Sequence, residues 1–337
     1  MKIKTLCLAL MLGLGTCAVA STSHKIVGHF PIGGEGGYDY LRVDPSARRL
    51  FVSHGTKVEV LDVDSGKKLG EIAPTPGVHG IAFAPEFSHG FATNGIANSV
   101  TVFDLKSLKP IDVVRVTGKR PDALDYDSDT KQVFVCNHAS GNLTVLDADK
   151  GTVKTTIELG GALEELAFDG RGHLFVNSED RNAIHYVDTK TSKLLATWPL
   201  APAEGPTGLT IDRDHHRLFA ACSNQLVVVN SDTGAVIATV PVGENPDGVA
   251  FEPATGMIFV PAREGRLTII HEDSPDKYTV QQNLPTPPGC RTIAIDQQTG
   301  RVFMSTGKFT QVPSAAAGGL IRQMVTPGTF EVIVVGR

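Results

Sequence analysis

The chain has 337 residues, 41% of them hydrophobic, with 35 Gly and 20 Pro. Length alone suggests two domains, unless the chain is a closed array of repeats, which makes a single domain of this size. The net charge of −5 carries no basic surplus, so it does not indicate a duplex nucleic acid as partner, and a local basic patch stays open.

Residues 1–20 read as a signal peptide rather than as fold. Lys2 and Lys4 form a basic start, Leu6–Leu14 is an apolar run too short to span a bilayer, and Ala18-Val19-Ala20 is a small-x-small cleavage site before Ser21. The expectation is a mature chain in the periplasm or medium, with no membrane span left. Leu14-Gly15-Thr16-Cys17 has the outline of a lipobox, so lipid anchoring at Cys17 is the competing reading. Cleavage leaves Cys136, Cys222 and Cys290, an odd number that makes no complete disulfide framework. They read as small buried hydrophobes.

His24–Ile32 reads as one strand with no unit of its own. From there the chain repeats. A large apolar residue near the end of the first strand of each unit recurs at Val43, Phe83, Tyr126, Phe168, Ile211, Phe251 and Ile295, at spacings of 40, 43, 42, 43, 40 and 44. A second ruler, the exit of the third strand, falls at Asp62, Asp104, Asp147, Asp188, Asn230 and His271. A period of this length with no helical pattern inside it means four strands per unit and an all-β, seven-bladed β-propeller, here spanning residues 21–337.

Asn245–Ile270 shows the unit plainly, with strands expected at Gly248–Phe251, Met257–Val260 and Leu267–Ile270 between Gly- and Pro-containing turns. The last unit supplies only Arg291–Ile295, Arg301–Ser305 and Phe330–Val335. His24–Ile32 is therefore expected to close the ring as the outer strand of the last blade. Small residues alternate with large ones along the first strands, as in Gly80 and Ala82 against Ile81 and Phe83, which suits sheets packed face to face. Arg42, Asp125 and Glu165 break that rule, either facing the channel or needing buried partners. The acids at the third-strand exits read as turn formers, because Asp or Asn there bonds its own backbone. The stretch 305–329 is the longest without a strand pattern. It reads as a lid over the channel mouth or a tether to the closing strand.

Leu50-Phe51-Val52-Ser53, Phe134-Val135-Cys136-Asn137 and Ile258-Phe259-Val260-Pro261 each precede a turn and a third strand such as Leu143–Asp147. These segments resemble diverged signatures of the YVTN-repeat propellers. Met324–Phe330 followed by Val332–Gly336 is similar to the closing segment of YncE-like exported members. The resemblance spans residues 24–337 and implies a seven-bladed periplasmic or surface protein.

Chemistry in a propeller is expected where loops meet at the mouth of the channel. Aligning the lead-ins to the first strands brings up Asp39, His79, Asp122, Glu164, Thr207, Asp247 and Arg291. The turn after the second strand adds His54, Asn94, Asn137, His138, Glu179, Asp180, Asn224, Arg263 and Lys308. The ligand-binding residues expected from these sets are Asp39, His79, Asp122, Glu164, Asp247, Arg291, His54, Asn137 and His138. The Asp39–His79–Asp122 sector is the expected hotspot. Such a mouth suits a divalent cation, a cationic ligand or a polyhydroxyl ligand. The competing reading is solvated turn chemistry, since Asp122 and Asp247 both follow Pro. His215-His216, on the opposite face, reads as solvated. No HExxH, GxSxG or phosphate-binding loop is present and no catalytic residue is legible.

The expectation is a binding or interaction module, a monomer, acting through its channel-mouth face on a small molecule, protein or polysaccharide in the periplasm. It needs no certain cofactor, with a divalent cation as the candidate. A lactonase-like hydrolase with a metal or acid–base site at the mouth, and a structural surface-layer or matrix component, are the alternatives.

Overall fold

The computed structural model describes residues 23–312 and 322–337. The expected signal peptide, the cleavage point before Ser21, Cys17 and the Ser314–Gly319 stretch lie outside the described residues. Among the described residues, no helix is long and apolar enough to cross a membrane.

Seven four-stranded antiparallel sheets follow one another along the chain. The first strands of the seven blades are Leu41–Asp44, Val78–Ala84, Pro121–Asp127, Leu163–Phe168, Leu209–Asp212, Ala250–Glu252 and Ala294–Asp296. Each contacts the first strand of the next blade, and that of blade seven contacts that of blade one, so the seven ring a central channel. Among the described residues the one helical element is a 3-10 turn at Pro85–Phe87.

Blade seven has the order Lys25–Pro31, Glu331–Gly336, Arg301–Thr306, Ala294–Asp296. The N-terminal strand is thus its outer strand, paired from Lys25 opposite Gly336 to Pro31 opposite Glu331. Blades six and seven begin their first strands two or three residues later than the pattern predicts. Before Ala250 and Ala294 the backbone runs across to its neighbour instead, with Asp247 N donating to Arg291 O at 3.1 Å.

The core lies between blades. Each second strand carries one large ring: Phe51, Phe91, Phe134, Phe175, Phe219, Phe259 and Phe303 are all fully buried. The small residues on the first strands set how closely blades approach. A Cβ added at Gly80 would meet Asp122 O at 2.8 Å and the Leu124 side chain at 2.7 Å. Thr93 ties the same seam, accepting from Gly80 N and donating to Asp122 O, both at 2.8 Å. This contact fixes the height of Asp122 at the mouth.

The third-strand exits behave as expected: Ser65 N, Ser107 N and Thr191 N donate to Asp62, Asp104 and Asp188 at 2.8, 2.6 and 2.7 Å. Cys136, Cys222 and Cys290 are free and buried. Inside the channel Arg42 reaches across to Asp125 at 2.7 Å, and Glu165 accepts from Leu209 N at 2.8 Å. Burial pushes the Glu165 carboxyl up to about 8.

The expected featureless stretch 305–329 is corrected. It carries a hairpin, Phe309–Val312 paired with Arg322–Val325. Thr310 stands opposite Met324, so the segment is neither a bare tether nor a simple loop.

Candidate functional site

The lead-ins to the first strands place their side chains at one mouth, and the blade order decides their neighbours. Asp39 is held by its backbone: Asp39 N donates to Ser53 Oγ at 2.7 Å, and Thr292 Oγ1 donates to Asp39 O at 2.7 Å. Its carboxylate then divides. Oδ1 faces Arg291 at 3.3 Å and Oδ2 faces His79 Nδ1 at 2.5 Å. His79 Nδ1 lies 3.6 Å from Asp122 Oδ1. On the other side of Asp122, Arg120 stands at 3.9 Å and His138 pairs with Glu164 at 2.8 Å. In the opposite direction Arg291 forms an ion pair with Asp247, which Arg263 approaches at 3.6 Å. The result is an arc of alternating charge from blade six through blades seven, one, two and three to blade four.

The electrostatics follow from burial against pairing. Burial acts to raise the Asp39 carboxyl, but the Arg291 charge and the His79 contact outweigh it and hold it below its usual value. Asp122 has no such direct partner. Burial, with Asp39 and Glu164 adding to it against the opposing pull of His79, pushes it up to about 7. Burial would lower the His79 imidazole, and the two carboxylates beside it raise it instead. His138 is raised by its contact with Glu164.

Two expected residues do not join this arc. His54 is fully buried, stacked on the Phe330 ring at 4.3 Å and 3.6 Å from Glu59. Asn137 is fully buried and donates to Asn142 Oδ1 and Thr144 Oγ1, both at 2.9 Å, within its own blade. The cause is the two-residue period of a strand. His54, Asn94 and Asn137 are the last paired residues of their second strands, opposite Lys57, Ser99 and Asn142, and their side chains turn inward. His138, one residue further on, turns to the mouth.

Beside the arc lies a cavity of about 500 Å³ lined by Tyr38, Arg263, Arg291, Gly289 and, from the hairpin, Phe309, Met324 and Val325. Arg263 also lines a second depression of about 410 Å³ with Glu179, Thr207 and Asp247. Arg120, Tyr38 and Phe309 were not expected at the site. Arg120 precedes Pro121 directly, and Phe309 is an aromatic residue in an otherwise polar stretch. Those were the signals available.

Comparison with known proteins fits this architecture. Residues 43–166 match the model of the family described as YNCE-like beta-propeller. Over that segment, which runs from blade one into the first strand of blade four, the chain is similar to the YncE-like propellers. Antigen Lp49 of Leptospira interrogans serogroup Icterohaemorrhagiae serovar copenhageni (strain Fiocruz L1-130) is 26% identical to it over 226 residues, covering 61% of this chain and 48% of the relative. The propeller thus spans about half the length of that curated relative. A solved structure, Kuenenia stuttgartiensis Hydrazine Synthase, is similar with a TM-score of 0.71 at 16% identity, covering 80% of this chain and 92% of that one. At that identity the likeness shows the fold.

The opposite face of the propeller carries a second titratable group. His215 Nδ1 lies 2.6 Å from Asp212 and 3.7 Å from Glu272, and Tyr278 Oη donates to Glu272 at 3.1 Å. Burial, then the nearby Asp212, pushes Glu272 up to about 7. A carboxyl raised on folding takes up a proton as the chain folds, so stability falls as pH rises from about 4.3, the ordinary Glu value, through 7. His215, lifted by Asp212 and Glu272 against burial, adds a fall of the same sign just above its ordinary value. Glu272→Gln removes the first contribution and leaves the His215–Asp212 pair. The expected outcome is a smaller drop in melting temperature between pH 5 and pH 8 than in the wild type. An unchanged drop would show that Glu272 ionises normally.

Proposed function

We propose that this propeller is a binding module whose recognition face is the channel mouth. The reading favours a small ligand with an anionic group and a short apolar body. One observation carries it: the hairpin brings Phe309, Met324 and Val325 over a cavity whose charged wall is Arg263 and Arg291. The Arg291 guanidinium is already taken by Asp247, Asp39 and the Tyr38 carbonyl. The Arg263 side chain is more than half exposed, and its nearest carboxylate, Asp247, stands at 3.6 Å. A planar guanidinium with open donors beside apolar side chains suits a carboxylate or sulfonate carried on a hydrophobic group.

The probe is 8-anilinonaphthalene-1-sulfonate on the folded chain. The expected result is saturable fluorescence enhancement with one site per chain, weakened at least about tenfold by Arg263→Ala, the scale of one charge-assisted contact. Replacing residues 309–325 by a short Gly-Ser link should weaken it likewise. Binding that is absent, or indifferent to both changes, would overturn the reading.

A further inference from the structure

Asp122 is the residue of the mouth that its surroundings serve least. Its side chain is 4% exposed, yet among the described residues it accepts no hydrogen bond. The cationic groups beside it stand off at 3.6 Å (His79) and 3.9 Å (Arg120). A buried carboxylate without a close donor is costly, and proteins meet that cost with pairing or with a metal.

The same carboxylate belongs to two groups of ligand atoms. Those of Asp39, His79 and Asp122 lie within 4.8 Å of one another, and so do those of Asp122, His138 and Glu164. Ligands at about 2.1 Å from a common ion stand roughly 3.0–3.4 Å apart. The separations of 2.5 and 3.6 Å around His79, and of 2.8 Å between His138 and Glu164, bracket that span. Each imidazole presents Nδ1 to a carboxylate, so neutral rings would turn a nitrogen lone pair, rather than a proton, to the same point.

We propose that the mouth binds first-row transition-metal dications at two adjacent positions bridged by Asp122, one completed by Asp39 and His79 and the other by His138 and Glu164. Each position offers two carboxylates and one imidazole. That mixed set suits Zn²⁺ or Mn²⁺, whereas Ca²⁺ wants six to eight oxygens. Asp39 spends Oδ1 on Arg291 and keeps Oδ2 for the ion. The Ser53 and Thr292 contacts to its backbone fix that orientation, the kind of outer support a metal ligand requires. This inference rests on the mouth being the binding face, and it adds the ligand class.

The test is calorimetry and metal analysis on the full chain after chelator treatment, titrated with Zn²⁺, Mn²⁺ and Ca²⁺. The expected result is two Zn²⁺ per chain, with Ca²⁺ much weaker. His79→Gln and His138→Gln should each remove one equivalent. Asp122→Asn, which keeps the shape, should weaken both by at least about tenfold. His215→Ala, in the Asp212–His215–Glu272 cluster on the other face, is the control and should change neither. Zn²⁺ uptake that is absent, unchanged by Asp122→Asn, or lost in the His215 variant overturns the proposal. Naphthalenesulfonate binding is measured in parallel. If it persists while Zn²⁺ fails to bind, the metal inference falls and the mouth remains a binding face; if it fails while Zn²⁺ binds, the reverse holds.

Discussion

A chain that begins at Ile32 is expected to lose its cooperative fold or to aggregate. Lys25–Pro31 is the outer strand of blade seven, and its loss strips the ladder from Glu331–Gly336. The exposed edge would be Val332-Ile333-Val334-Val335, four residues that are all buried in the intact ring. Such an edge is a template for pairing with other chains. Phe30 makes the loss worse. It is 8% exposed, stands 6.2 Å from the Phe303 ring, and fills the space over Gly66, where an added Cβ would lie 2.2 Å from its ring. At the far end His24 N and O bond Gln282 at 3.0 and 2.9 Å, and the His24 ring meets Phe259 edge-on at 5.3 Å, so the strand also ties blade seven to blade six. One large apolar side chain and a strand's ladder together are worth roughly 5 kcal/mol or more, against a total margin of about 5–15. Phe30→Ala isolates the side chain and should cost about 3 kcal/mol in urea unfolding, with the slope unchanged. A truncated chain with the wild-type denaturation midpoint would mean that the ring is closed by something other than this strand.

The ring, its closure and the turn chemistry were legible because they are periodic. The first-strand marker recurs seven times and the third-strand exit six times, four of them as Asp, and repetition averages out local ambiguity. The orphan strand at His24–Ile32 was legible by subtraction, since the last unit was one strand short. The site was legible in part. Lead-in residues follow the same period, so Asp39, His79, Asp122, Glu164, Asp247 and Arg291 could be aligned, and the structure brings them into one arc. The second-strand residues failed at His54 and Asn137 because facing reverses with every residue, and no period fixes register to better than that. The hairpin at Phe309–Val325 was missed because it interrupts the repeat. Its strands of four residues, separated by a long stretch, carry no pattern distinct from loop.

Arg291→Ala is expected to destabilise the propeller by about 3 kcal/mol at pH 7, the lower end for breaking a buried ion pair because the side chain is about a fifth exposed. The guanidinium serves four groups at once. It pairs with Asp247 and with Asp39, donates to Tyr38 O at 2.9 Å, and lies 5.6 Å over the Tyr38 ring. Alanine leaves Asp39 with His79 and Asp247 with Arg263 at 3.6 Å, and removes the cation that stands between the carboxylates of blades one and six. Arg291→Lys should fall between the two, since one ammonium meets one carboxylate where the planar fork meets two. Arg291→Met with Asp247→Asn should recover part of the loss, because the second change removes a charge the first has stranded. The pH dependence gives the sign. In the wild type Asp39 is held below its usual value despite burial, so its contribution is present above about pH 3.9, the ordinary Asp value, and is lost as pH falls through the depressed value. Without Arg291 the burial that opposes ionisation has less to oppose it, and acid then relieves the variant. The stability gap between wild type and Arg291→Ala should therefore narrow from pH 7 to pH 4. A gap that is flat across that range, or a variant as stable as the wild type at pH 7, would show that the arc is a set of screened surface pairs of little weight.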